Sequence, residues 1–267
     1  MLGGWWLTLL VVTVGLAAES PASTTSASDA RVTSAAIAGD PIVRDGLAAE
    51  ARFDSKAALN AFLRADAVHP NNAFILEKIS RQYSDLTIDT PDLAEKKRLC
   101  TDALAYALRA VELQPENPVA LLSLAICYGK LGQYSNVRTR IEYSRLVLRY
   151  AEHALSLNPD DDYAHHVLGR WHYEVASLGA GTRILVKLIY GGLPPASTTE
   201  AIRHLRRAVE ISPARPSHHI ELGFALLADG QREAARRTWE HALTLPVAEK
   251  HDEEARARAR AALAQLS

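Results

Sequence analysis

The amino-acid sequence predicts an all-α fold, a right-handed α-solenoid of helix hairpins with one inserted helix and a C-terminal capping helix. Composition is the first observation behind this prediction. Of the 267 residues, 45 are Ala, while only 14 are Gly and 4 are Phe, and this balance favours helix over sheet. The second observation is a repeated spacing of small residues that ends in a proline, which indicates self-similar helical units.

The repeated spacing matches the tetratricopeptide (TPR) pattern, whose second half reads A-x3-F-x2-A-x4-P. Small residues let two helices cross closely, and the proline ends the second helix. This half occurs at residues 58–70, 103–115, 147–159 and 201–213, and a fifth set at 235–246 has its proline one residue early. The units are therefore expected at about 41–71, 72–117, 118–160, 161–214 and 215–247, with a cap at 248–267.

Two segments precede the repeats. Residues 1–18 carry no charged side chain and are largely apolar, which predicts a signal peptide, with an N-terminal membrane anchor as the alternative. Residues 19–40 are mostly Ser, Thr and Ala and predict a flexible linker. The repeat domain then takes residues 41–267. We expect an extracytoplasmic protein, periplasmic or secreted after cleavage, or one anchored to a membrane by residues 1–18.

Three of the units contain more residues than the TPR pattern needs. The first two insertions lengthen the second helix of their units and predict long amphipathic helices over Thr90–Leu113 and Gln133–Leu157. The third contains the apolar stretch Arg183–Tyr190, which Gly191, Gly192 and two prolines follow. This order predicts an extra helix that ends at the glycines. Residues 247–265 predict the capping helix that the end of a solenoid requires.

The inserted segments carry a resemblance to a known family. The segment Leu168–Tyr173, followed by Pro194–Thr198, and the stretch Tyr83–Asp85 resemble the regulator of microtubule dynamics family of TPR proteins. The resemblance implies a non-enzymatic helical-repeat protein. Some members associate with microtubules, and one branch tethers organelle membranes and binds phospholipids. The signal-like N-terminus departs from the eukaryotic members, so microtubule association is expected only of a eukaryotic, cytosolic protein.

In resembling repeats, the first helix of each hairpin lines a concave groove. The register of that face predicts ligand-binding residues of mixed character. The predicted groove residues are Leu122, Ile126, Lys130, His166, Arg170, Tyr173, Glu174, Ile220, Phe224 and Leu227. Two interpretations explain the apolar stripe among them: the inserted helix around Ile184–Tyr190 covers it, or it holds an acyl chain or an apolar peptide helix. In the second case Arg170 and Lys130 would lie near an anionic group.

The sequence contains no local catalytic or cofactor motif. The net charge is −1, which argues against a nucleic-acid partner. Ten histidines are present without an HExxH pattern, so we predict no metal site, no catalytic residue and no cofactor. Cys100 and Cys127 fall on helices expected to be neighbours and are either a disulfide or ordinary core. The predicted function is a non-enzymatic scaffold that binds a protein or peptide segment, with phospholipid binding or membrane tethering as the alternative.

Overall fold

A computed structural model describes residues 37–266. From residue 41 onward this part of the chain forms twelve α-helices. They are α1 (Pro41–Glu50), α2 (Ser55–Val68), α3 (Ala73–Asp89), α4 (Leu93–Leu113), α5 (Pro118–Gly132), α6 (Val137–Leu157), α7 (Asp162–Ala176), α8 (Ala180–Tyr190), α9 (Thr198–Ile211), α10 (Pro216–Ala228), α11 (Arg232–Thr244) and α12 (Asp252–Leu266). The predicted leader at 1–18 and most of the predicted linker at 19–40 lie outside the described residues.

The helices pack as hairpins in a row. The pairs are α1 with α2, α3 with α4, α5 with α6, α7 with α9, and α10 with α11. The second helix of each hairpin also packs against the first helix of the next one, and α12 packs against the last pair. The predicted TPR solenoid, with its inserted helix and its capping helix, is confirmed.

Side chains outside the repeat pattern mark the ends of the helices. The two longest helices begin at Leu93 and Val137, slightly later than predicted, because Asp92 and Asn136 accept hydrogen bonds from backbone N–H groups of the first turns of α4 and α6.

At the N-terminal end, Ile37 packs against the core of the first hairpin, and Asp40 caps α1 and bonds to His69 at 3.0 Å. The folded part therefore includes Ile37 and Asp40, which the sequence had placed in the linker.

The core is a set of small clusters at the helix crossings rather than one central mass. Alanines such as Ala107, Ala154 and Ala208 are fully buried there. A close crossing joins α10 to α11, where a Cβ on Gly223 would lie 2.2 Å from Nε1 of Trp239. The buried Trp239 indole donates its N–H to the carbonyl oxygen of Ile220 at 2.9 Å. Only a glycine at residue 223 allows this approach.

Cys100 and Cys127 are buried, free thiols. The sulfur of Cys127 lies 3.3 Å from the hydroxyl of Ser80, which donates to the carbonyl oxygen of Ala103. Burial raises the pKa of Cys127 to about 11. The structure therefore supports the alternative that both cysteines are ordinary core residues.

The inserted helix α8 stands apart from the groove. It ends at Gly191 in a left-handed conformation (φ 76°), and Arg145 on α6 holds the next turn by donating to the carbonyl oxygen of Gly192 at 3.2 Å. Only Val186 of α8 is buried. The interpretation that this helix covers the apolar stripe is wrong. Helix α12 covers the C-terminal part of the stripe instead, since its residues Ala259 and Leu263 share a core cluster with Phe224 and Leu227.

Candidate functional site

The concave groove runs along the first helices of the hairpins. Helix α3 contributes a charged row, Arg81, Asp85 and, at its end, Asp89, and the end of α1 contributes Glu50. Glu50 binds Lys78 at 2.9 Å and the amide of Gln82 at 2.8 Å, so the first two repeats are joined by ionic and hydrogen bonds at this face. Helices α5, α7 and α10 add mixed polar and apolar side chains.

Three consecutive residues of the chain lie in this groove. They are Glu249, Lys250 and His251, in the turn between α11 and α12, and we call them the groove segment. Lys250 reaches the first two hairpins, where its ammonium group lies 3.3 Å from the hydroxyl of Ser55 and forms an ion pair with Asp89. The groove segment therefore contacts residues more than 150 positions earlier in the sequence.

His251 binds the middle of the groove. Its Nε2 atom lies 2.9 Å from a carboxylate oxygen of Asp85 and 3.2 Å from the ammonium nitrogen of Lys130. Lys130 also donates to the carbonyl oxygen of Ser84 at 3.0 Å. Burial acts to raise the pKa of Asp85, but the hydrogen bond from His251 and the charges of Lys130 and Arg81 lower it overall. An ionised Asp85 therefore accepts the hydrogen bond of His251 and attracts the ammonium group of Lys130.

Glu249 binds the other side of the groove. Its carboxylate accepts a hydrogen bond from Arg215 at 2.6 Å and another from the hydroxyl of Tyr163, and Arg81 lies 3.8 Å away. Burial raises the pKa of Glu249 to about 7, although Arg81 acts against this shift. The groove segment as a whole presents a carboxyl, an ammonium and an imidazole group to side chains of the first four hairpins and to Arg215.

A second network lies directly beneath Glu249. Asp162 pairs with Arg215 at 2.9 Å and accepts from Nε2 of His218 at 3.0 Å. Nδ1 of His218 then faces Nδ1 of His166 at 3.0 Å. Burial alone would raise the pKa of Asp162, but hydrogen bonds from His218 and Ser212, together with the charge of Arg215, lower it to about 2. Arg215 is therefore fixed by a carboxylate on each side.

The predicted apolar groove residues are mostly covered. Leu122 and Ile220 lie in the core, with exposed fractions of 7% and 0%. Ile126, Phe224 and Leu227 are partly buried and pack against core clusters. The ring of Phe224 also has the Arg258 guanidinium of α12 at 4.8 Å from its centre. These residues supply packing beneath the groove rather than an open apolar surface.

The predicted polar groove residues divide into two groups. Lys130 and His166 belong to the networks around His251 and Asp162. Arg170 and Glu174 form an i,i+4 ion pair at 3.0 Å on the exposed side of α7, and Tyr173 packs against the last core cluster. The structure brings only the first group into contact with the groove segment or its partners.

Sequence reasoning missed the residues that fill the groove. Glu249, Lys250 and His251 stood inside a segment assigned to the cap, and no local pattern joins them to Asp85 or Arg215. Sequence reasoning also gave no sign of a group of side chains that could hold a metal ion, for the same reason. Among the described residues, His172, Glu200 and His204 lie together outside the groove, between α7 and α9.

Comparison with known proteins gives a family and a fold. The family model "Regulator of microtubule dynamics protein 1-3" matches residues 44–267. Regulator of microtubule dynamics protein 3 of Xenopus laevis is 30% identical over 138 residues, which are 52% of this chain and 30% of that protein. Regulator of microtubule dynamics protein 1 of Mus musculus is 30% identical over 138 residues, 52% of this chain and 45% of that protein. The matches thus span less than half of these relatives.

A solved structure gives the same fold independently. The crystal structure of TTC0263, a thermophilic TPR protein of Thermus thermophilus, aligns with a TM-score of 0.60 and 21% identity. The alignment covers 84% of this chain and 97% of that chain.

Proposed function

The chain belongs to the regulator of microtubule dynamics protein 1-3 family, and on that premise we propose that it is a non-catalytic TPR scaffold that binds a protein segment in its concave groove. The groove segment is the observation that supports the proposal. Three residues of turn conformation already occupy the groove through side-chain contacts to Ser55, Asp85, Lys130 and Arg215. A partner segment with a similar order of charges would use the same contacts.

The groove favours a partner with charges of both signs. Arg81, Arg215 and the Tyr163 hydroxyl accommodate a carboxylate, while Asp85 and Asp89 accommodate a cation or an imidazolium. Charge-assisted hydrogen bonds of this kind are among the stronger polar contacts between proteins. The chain's own segment must leave before a partner enters, so the groove segment acts as an internal competitor.

A peptide-binding measurement tests the proposal. The probe is a labelled synthetic peptide of residues 245–255, added to the full chain and to the variant Glu249→Ala, Lys250→Ala, His251→Ala, with binding read by fluorescence anisotropy. We expect the variant to bind the peptide at least tenfold more tightly than the original chain, because its groove is no longer occupied.

Two arginine variants in that background provide the control. Arg215→Gln removes the partner of the peptide carboxylate and should abolish binding, whereas Arg138→Gln changes an exposed arginine of α6 and should leave binding unchanged. Circular dichroism checks that each variant keeps its helices. Equal binding by both arginine variants, or none by the triple variant, would contradict the proposal.

A second candidate is binding to a membrane surface, and α8 is the observation that favours it. Ile184, Leu185, Leu188 and Ile189 are between 56% and 79% exposed on this one short helix. The charged residues of the helix are the basic Arg183 and Lys187. Basic charge beside an apolar face suits the surface of an anionic bilayer. None of the described helices is both long and apolar enough to cross a membrane.

The α8 surface also borders a small cavity. The cavity has a volume of about 270 Å³ and lies between α8 and the turn that follows it. Its lining includes Val175, Leu178, Val186 and Leu193, with Arg183 and Lys187 at the same site. A cavity of this size accommodates a few methylene groups of an acyl chain below a phosphate.

Vesicle sedimentation tests the membrane candidate. The full chain is spun with vesicles of phosphatidylcholine alone and with vesicles that also contain phosphatidylserine. We expect sedimentation with the anionic vesicles, and its loss in the variant Ile184→Ser, Leu188→Ser. Leu93→Ser is the control, because Leu93 is similarly exposed on α4. Sedimentation that the α8 variant does not reduce argues against this candidate.

Location decides which partners the chain meets. We propose an extracytoplasmic protein, released from or anchored by residues 1–18. In that location it has no access to microtubules, and its role differs from the one in its relatives' name. N-terminal sequencing of the fractionated protein checks this: a start near Ala18 or Glu19 in a soluble extracytoplasmic fraction is expected, and an intact Met1 in membranes indicates the anchor instead.

A further inference from the structure

Three metal-ligating side chains lie between α7 and α9, at the base of the loop that carries α8. His172 comes from α7, and Glu200 and His204 are one helical turn apart on α9. One ligand atom of each lies within 4.8 Å of the ligand atoms of the other two. The rings of His172 and His204 stack with their centres 5.9 Å apart. Two packed helices therefore hold all three side chains.

A chain of hydrogen bonds fixes the proton positions of His204. The carbonyl oxygen of Pro159 lies 3.1 Å from Nε2 of His165 and takes its N–H, so Nδ1 of His165 must accept. Nδ1 of His204, at 2.9 Å, donates to it. The Arg203 guanidinium, which can only donate, lies 2.9 Å from Nε2 of His204. Nε2 of His204 consequently carries a lone pair.

This pattern is the one that a metal ligand needs. A ligating imidazole uses one nitrogen for the metal, while the other donates to a fixed acceptor that sets its orientation. His165 provides that acceptor for His204. His172 adds an Nδ1 atom that is buried and has no hydrogen-bond partner, which is uncommon for a buried polar atom.

A cationic group already lies against two of the three side chains. The Arg203 guanidinium is 2.9 Å from Nε2 of His204 and 2.6 Å from Oε2 of Glu200. Both atoms therefore attract positive charge at the same point. The Arg203 side chain is 56% exposed, so it can move into solvent easily, because exposed ion pairs contribute little to stability.

We propose that His172, Glu200 and His204 form a binding site for a divalent transition-metal ion of the zinc type, and that Arg203 occupies the position of the cation when no metal is bound. Two imidazoles and a carboxylate are a ligand set that Zn²⁺ takes, with water as the fourth ligand. The bound ion joins α7 to α9 and closes the loop that carries α8. The site is separate from the concave groove.

A cobalt titration of the full chain tests the site. Co²⁺ in a tetrahedral site with nitrogen and oxygen ligands absorbs visible light, and Zn²⁺ displaces it. We expect one Co²⁺ per chain, with an absorption band that one equivalent of Zn²⁺ removes. Glu200→Gln and His172→Gln should each weaken Co²⁺ binding at least tenfold. Arg203→Gln should tighten binding several-fold, because it removes the competing cation.

The control is an exposed histidine beside a carboxylate elsewhere on the surface. His153 lies 3.4 Å from Glu116, and no third metal-ligating side chain joins this pair among the described residues. His153→Gln should leave cobalt binding unchanged. Glu200 is partly exposed, so its variant is expected to fold even if His172→Gln does not.

Two results would overturn the proposal. The first is the absence of a tetrahedral cobalt band from the original chain. The second is a band that persists in a folded Glu200→Gln variant, or that disappears equally in His153→Gln. A weaker affinity in Arg203→Gln would overturn the role given to Arg203.

Discussion

The concave groove and helix α8 differ in how far other parts of the chain cover their side chains. In the groove, charged side chains of α3 and α5, together with Arg215, meet the groove segment of the same chain, and α12 covers the apolar Phe224 and Leu227 beneath it. On α8, four aliphatic side chains remain largely exposed. The groove lies on a face that all repeats share, so a distant part of the chain can reach it, whereas α8 lies in a loop within one repeat. The face that the repeats share is therefore contacted by another part of the same chain, whereas the apolar face of α8 stays exposed.

The largest expected effect comes from adding one methyl group at a helix crossing of the repeats, compared with one methyl group on α8. Gly223→Ala should lower the free energy of unfolding by about 3 kcal/mol, because the new Cβ would displace the buried indole of Trp239. Gly181→Ala on α8 meets no atom within 4 Å and should stabilise the helix by up to about 1 kcal/mol. Urea unfolding of both variants checks this. Similar losses in the two would remove the contrast in packing between repeats and insertion.

A smaller change in the free energy of unfolding is expected at acid pH, and it comes from Asp162 in the network beneath the groove. The pKa of Asp162 is about 2 in the folded chain against an ordinary value of 3.8. A lowered carboxyl pKa gives stability that is complete above pH 3.8 and is lost as pH falls through 2. We expect Asp162 to contribute about 2 kcal/mol above about pH 4. Asp162→Asn should remove this dependence, and the exposed Asp160→Asn should keep it.

The groove segment itself should open more easily when its contacts are removed. In Lys250→Ala, His251→Ala we expect the free energy of opening to fall by about 1 kcal/mol, because the contacts to Asp89 and Asp85 are lost. Hydrogen exchange followed by mass spectrometry should show faster exchange around residues 246–251. Exchange on α8 should stay the same. If both regions exchanged faster, the segment would be part of a general loosening and not a separate element.

The smallest expected effect is on α8. Leu188 is 79% exposed, so Leu188→Ser should change the free energy of unfolding by less than about 0.5 kcal/mol. Thermal unfolding of the full chain measures it. A loss above about 1 kcal/mol would mean that Leu188 is packed in solution, and the surface proposed for membranes would then be an internal contact.

Periodicity predicted the repeats because their packing is local. Small residues such as Ala103 and Ala208 mark helix crossings between neighbours in sequence, and the spacing of the prolines marks where helices end. The capping helix could be predicted for a similar reason, since a solenoid end needs one. Its position over Phe224 and Leu227 could not, because the sequence offered α8 as another apolar helix able to cover the same stripe.

The candidate site was harder to predict because its contacts are distant in sequence. The register of the repeats identified Lys130 and His166 as groove residues, and both lie in its networks, yet it gave no reason to place Glu249 beside Arg215 or His251 beside Asp85. The metal-ligating group shows the same limit. His172 lies in the segment Leu168–Tyr173, but Glu200 and His204 come from a helix beyond the insertion, and only the packing of α7 on α9 brings them together.

The contact of Lys250 with Ser55 has a consequence for how the chain unfolds. In an open array of repeats each unit touches only its neighbours, so the terminal units can unfold before the others. Here the turn before the last helix is bound to the first two units, and fraying at one end must break contacts at the other. We therefore expect a single cooperative unfolding transition rather than separate fraying of the terminal units.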